Sequence, residues 1–170
     1  DHVSALLGYG GSGRRIDRRR HRHGLDRCAG AELHQPVDHD TIAGALEIAH
    51  HPDAFISVEV TTRFPEDGTP LHVLCWNISE ADFAAIDAVR SDVYALVELL
   101  EQRDITHALA HPLFRIGADL TPSHLERCLL LFPIWEGRNG ARSRDGNTTA
   151  FRIAESATPE FLSKLAEKHG

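Results

Sequence analysis

The sequence predicts an α/β fold of alternating strands and helices that gathers a metal-capable site at its strand ends. From Asp38 onward, short β-rich runs alternate with helical periods, the pattern of parallel βα units. Two histidines sit where an apolar run gives out: His39 in Val37-Asp38-His39-Asp40-Thr41 and His111 in Ala108-Leu109-Ala110-His111-Pro112. α/β barrels build sites this way, on side chains at the C-terminal ends of rigid strands. Twelve histidines are also many for 170 residues, which suits a protein that uses imidazole as a ligand.

The elements follow in order. Residues 1–35 show no sustained period and read as an irregular basic segment ahead of a domain at 36–170. Gly8, Gly10, Gly11 and Gly13 suggest a loop, with neither the strand before nor the lysine after that a phosphate loop requires. Asp40 or Thr41 caps a helix through Ile42, Ala45, Leu46 and Ile48, ended by His51-Pro52. Ala54–Thr62 is a strand, Pro65-Glu66-Asp67-Gly68 a turn, and Leu71–Asn77 a second strand. Ser79 caps a helix with Phe83, Ile86 and Val89 on one face, and the helical pattern continues from Tyr94 to Gln102. Ile105–Ala110 is a short buried strand. Thr121-Pro122 opens a helix through Leu131. Phe132–Glu136 is another strand, residues 137–146 a loop, Thr149–Ser156 a helix, and Thr158-Pro159 opens the last one.

Composition sets limits. At 42% hydrophobic residues, the chain can bury one sizeable core, so a single domain is expected. It has no apolar run of about eighteen residues to span a membrane, and no secretory signal is visible at its start. Cys28, Cys75 and Cys128 are odd in number and form no C-x-x-C pair. They read as buried free thiols in a reducing, cytoplasmic setting. Seven arginines between Arg14 and Arg27 make a basic arm that suits anionic surfaces, but it lacks aromatic residues to stack bases and reads as a solvated segment.

Two more positions join the histidines. If Ala54–Thr62 and Leu71–Asn77 pair as a hairpin, position 59 falls opposite 74, and His72 becomes the diagonal neighbour of Glu59 on one face. Their backbones are then about 7–8 Å apart, close enough to share an ion. Glu59 equally fits a solvent-facing strand position. His111 fits a core histidine before a strand-ending proline, and His39 the neighbour of a helix cap.

In order and spacing, Asp38-His39-Asp40-Thr41-Ile42, Val58-Glu59-Val60-Thr61, Leu71-His72-Val73-Leu74, Ala108-Leu109-Ala110-His111-Pro112 and Trp135-Glu136-Gly137-Arg138-Asn139-Gly140 resemble the motifs of the PHP (polymerase and histidinol phosphatase) family. The resemblance covers about residues 36–170. It implies a distorted (β/α)7 barrel, here incomplete, with divalent ions, zinc or manganese, at the strand ends. It also implies hydrolysis of phosphoesters, on a phosphorylated small molecule or a nucleic-acid end. His39, Glu59, His72 and His111 fall on metal-ligand positions. Asp38 would orient His39, the two forming the catalytic pair, while Arg138 and Asn139 would meet substrate phosphate at the rim.

The chain departs from that family at both ends. His21-Arg22-His23 has the letters of the family's opening His-x-His, but lies among arginines only sixteen residues before His39. The closing Asp-x-His is not found before Gly170. The reading is therefore a metal-dependent phosphoesterase domain, weak or inactive. Its rivals are a non-catalytic metal-binding or regulatory module, once fused to a larger enzyme such as a glycosyltransferase, and a nucleic-acid binder using the arginine arm.

Overall fold

One tight turn decides the strand directions at the centre of the sheet. Gly68 takes φ +75°, a conformation that strains a side-chain-bearing residue. Its N–H donates to the Phe64 carbonyl at 2.8 Å, and Phe64 N–H donates to the Thr69 carbonyl at 3.0 Å. The chain therefore doubles back, and β3 (Ser57–Arg63) pairs antiparallel with β4 (Pro70–Trp76), Glu59 opposite Leu74 as the hairpin register required.

In this computed structural model, residues 5–8, 37–51 and 54–170 are described, the first four as backbone alone. The arginine arm, the glycine loop, Cys28, His21, His23 and Pro52 lie outside the described residues. The other strands are β1 (Ala5–Gly8), β2 (Asp38–His39), β5 (Thr106–Leu109) and β6 (Ile134–Arg138). They form one sheet in the order β1-β6-β5-β4-β3-β2. Strands β2 and β3 are parallel, as are β5 and β6; the other three pairings are antiparallel.

The expected incomplete (β/α)7 barrel is therefore not formed. The sheet is open, with β1 and β2 at its edges and no pairing between them. A barrel of that kind needs every strand parallel and returned by a helix. Here the Phe64–Thr69 turn replaces one crossover, and strands β4 and β5 run antiparallel around a pair of helices. The sequence reading gave Ala5–Gly8 no element, yet it pairs with β6.

The helices are α1 (Ala43–Ile48), α2 (Glu80–Val89), α3 (Val93–Gln102), α4 (Pro122–Leu131), α5 (Arg144–Glu155) and α6 (Pro159–His169). Ser79 and Thr121 cap α2 and α4 as expected. Asp92 caps α3, accepting from Tyr94 and Ala95 N–H, so the continuous period from Ser79 to Gln102 is cut into two helices. Helix α5 starts five residues before the expected Thr149, because Ser143 accepts from Gly146 N–H and carries the first turn through Gly146 and Asn147. Among the described residues no helix is long and apolar enough to cross a membrane.

One sheet face carries Val58, Val60, Val73, Cys75, Leu109 and Trp135 into a core closed by Ile86, Leu96, Leu100, Cys128 and Phe132. Outside it, a polar network of Tyr94, Glu66 and Arg127 ties α3 to the β3–β4 turn and α4. Asp92→Ala should cost about 1 kcal/mol, the usual loss on removing such a cap. Urea unfolding checks it; an unchanged midpoint would show that the α2–α3 break is set by packing instead.

Candidate metal centre

Strand register brings three of the expected site residues together, and a backbone reversal adds the fourth. His39 lies in register beside Glu59 on the neighbouring parallel strand. Glu59 faces Leu74, and strand alternation puts His72, two residues away, on the same sheet face. Leu74 in turn faces Ala108 on β5. This is the face opposite the apolar core.

His111 breaks that alternation. Leu109 faces Val73, so a regular strand continued to residue 111 would point His111 into the core. Instead His111 takes φ +24°, and its ring returns to the Glu59 side. Its Nε2 reaches Glu59 Oε1 at 2.8 Å and stands 3.3 Å from His72 Nδ1. Strain of this kind persists only where its surroundings hold it, and it recurs at functional sites.

Glu59 is the hub. His72 Nδ1 lies 2.6 Å from its Oε1 and His39 Nδ1 3.7 Å. Ligand atoms of His39, Glu59 and His72 all fall within 4.8 Å of one another. The His72–His111 separation of 3.3 Å matches the edge of a tetrahedron built on metal–nitrogen bonds of about 2.0–2.1 Å. Three imidazoles and a carboxylate are the donor set of zinc and related ions. Cys75 and Cys128 are not candidates: both are free, and burial pushes each thiol up to about 12.

The four side chains differ in exposure. The His111 side chain is 3% exposed, those of His72 and Glu59 about as shielded as each other at 12% and 13%, and that of His39 58% exposed. The site thus opens to solvent on the His39 side. Behind His111 lies a cavity of about 60 Å³ lined by Phe114, Glu136, Arg142 and Asn147, room for a few water molecules. Arg142 roofs it, its guanidinium carbon 3.4 Å from the centre of the Phe114 ring.

The remaining expected residues stand further out. Asp38 Oδ2 accepts from Gly44 N–H at 3.1 Å and Thr41 Oγ1 from Ala43 N–H at 3.2 Å, so Asp38 joins one of the two expected residues, Asp40 or Thr41, in anchoring the start of α1. Asp40 instead pins the edge: it takes φ +56°, its N–H donates to the Glu59 carbonyl, and its Oδ1 accepts from Thr61 N–H at 2.7 Å and from Arg90. Arg138 is exposed at the end of β6, opposite Ala5. Asn139 Nδ2 donates to Glu136. His169 is engaged by Glu126 at 2.6 Å on α4. Sequence reasoning missed Asp40, Arg90 and Glu136. The last had a signal: a carboxylate one residue after Trp135 on an apolar strand is committed to the face opposite the core.

Burial acts to raise the Glu59 carboxyl. Hydrogen bonds from His111 and His72, with the charges of His111 and His39, outweigh it and hold the group well below the usual carboxylate range. A depressed folded-state value stabilises the fold above the unfolded pKa of about 4.3, and that stabilisation is lost as pH falls through the folded value. Wild-type stability should therefore fall faster than that of Glu59→Gln below about pH 4.3. Urea midpoints at neutral and acid pH check it; parallel profiles would contradict the pairing.

No protein-family model matches this chain, and no curated protein matches it.

Proposed function

We propose that this chain is a metal-dependent phosphoesterase-like domain that binds one divalent ion, zinc or manganese, through Glu59, His72, His111 and the exposed His39. The convergence of three imidazoles on the Glu59 carboxylate, at 2.6, 2.8 and 3.7 Å, carries the reading. When bound, such an ion lowers the pKa of a coordinated water and polarises a phosphoryl oxygen.

The chain's own residues divide the work. Glu59, His72 and His111 hold the buried side of the site. His39, at the solvent side, borders the approach of a phosphorylated small molecule or a nucleic-acid end. Arg138, exposed at the end of β6, is available to a substrate phosphate, and Asn139 acts indirectly by tethering Glu136. Asp38 supports His39 through the backbone, since its contact is with Gly44. The buried free thiols Cys75 and Cys128 suit a cytoplasmic setting.

Turnover is slow on this reading. Two-ion hydrolysis stabilises attacking and leaving oxygens with ions about 3.5–4 Å apart. Among the described residues only the His39-Glu59-His72 group, with His111 beside it, gathers such ligands. That single cluster also favours a second reading, a metal-binding module without catalysis. Both share the same ion and differ in hydrolysis.

Calorimetric titration at neutral pH should show one zinc or manganese ion per chain. Binding should weaken as pH falls, because an imidazole must be unprotonated to coordinate, and His72→Ala should weaken it at least about tenfold. No heat with either ion would remove the proposal. With metal bound, slow hydrolysis of p-nitrophenyl phosphate that His72→Ala abolishes would support the phosphoesterase. No hydrolysis would leave the non-catalytic module, and rapid hydrolysis would contradict a one-ion site.

A further inference from the structure

We propose that Glu136 is the positioning residue of this centre, acting on the backbone of His111 rather than on the ion. The inference begins from the reversal at His111. Its φ of +24° carries the ring away from the core face and onto Glu59, and a positive φ is uncommon for a residue with a side chain and is kept where the surroundings hold it. Glu136 supplies the hold: its Oε2 accepts the His111 N–H at 2.8 Å. A charged acceptor makes a stronger hydrogen bond to a backbone N–H than a neutral one. Proline at 112 fixes the following φ, so the turn is gripped on both sides.

Glu136 is itself held for this task. Leu109 pairs with Trp135, whose side chain is in the core, so alternation sends the next side chain to the face of Glu59 and His72. The residue is 4% exposed, a costly place for a carboxylate without partners. Asn139 Nδ2 donates to both oxygens, at 3.1 and 3.2 Å, and Asn147 Oδ1 accepts Asn139 N–H in turn. The chain Asn147–Asn139–Glu136–His111 thus runs from the first turn of α5 to a ligand of the centre. Partners of this kind orient ligands, and their loss commonly costs about 10–100-fold in metal affinity.

The test has a metal-free arm and a metal arm, because the second rests on the proposed metal binding and the first does not. In apo protein labelled with ¹⁵N-histidine, ring signals of His111 are assigned by their loss in His111→Gln. Glu136→Ala should shift them and broaden them, while Glu136→Gln, whose carbonyl oxygen still accepts the N–H, should leave them close to wild type. Glu136→Asp keeps the charge but shortens the reach, and should shift them even where the alanine variant does not fold. In the metal arm, zinc affinity should fall about 10–100-fold in Glu136→Ala and Glu136→Asp and within a few-fold of wild type in Glu136→Gln. Unshifted His111 signals in Glu136→Asp would overturn the inference, whatever the zinc result. A wild type that shows the expected shifts but binds no zinc would keep Glu136 as positioning residue and remove the metal reading instead.

Discussion

The arrangement depends on how a largely buried carboxylate is satisfied. Glu59 stands in the middle of the sheet with a 13% exposed side chain, and an ionised carboxylate there is unfavourable without partners. Its partners come from three other segments: His72 on β4, His111 beyond β5 and, at longer range, His39 on β2. Four neighbouring strand segments are therefore committed to one point. Removing any one imidazole leaves the carboxylate less compensated, which couples the local register of each strand to the integrity of the site.

The geometry that achieves this is simple except at one residue. Register and pleat alone align His39, Glu59 and His72 on the face away from the core. The fourth residue has the wrong parity. His111 joins by a backbone reversal at the mouth of β5, and Asp40 makes a comparable left-handed turn after β2. Both turns are tied down by carboxylates: Glu136 on His111 N–H, and the Asp40 side chain on Thr61 N–H and Arg90. One strained position, His111, belongs to the cluster and the other, Asp40, adjoins His39, where rigidity of the scaffold matters most.

Much of the local structure was legible in the sequence, because it is written in short-range chemistry. Ser79, Thr121 and Thr158 are helix caps followed by recognisable helical periods, and each opens its helix as read. The Glu59–Leu74 pairing followed from one turn and a period of two. His39, Glu59, His72 and His111 were expected to meet at strand ends, but Glu59 and His72 lie inside β3 and β4 and come together through register. What was not legible is long-range. Strand direction depends on how the α2–α3 pair returns the chain, so a mixed open sheet with β4 antiparallel to β5 stands where parallel barrel units were expected. Ala5–Gly8 looked aperiodic, since a four-residue edge strand offers too short a pattern to read. Glu136 was read only as the last residue of a strand, because nothing in the adjacent letters says that its partner is a backbone N–H twenty-five residues earlier.

The most direct measurement is X-ray absorption at the zinc edge of the zinc-loaded protein. A site built by Glu59, His72, His111 and His39 predicts nitrogen and oxygen neighbours at about 2.0–2.1 Å, with the multiple scattering of three imidazoles, reduced to two in His111→Gln. Sulfur at about 2.3 Å, or an octahedron of water oxygens without imidazole scattering, would contradict the account.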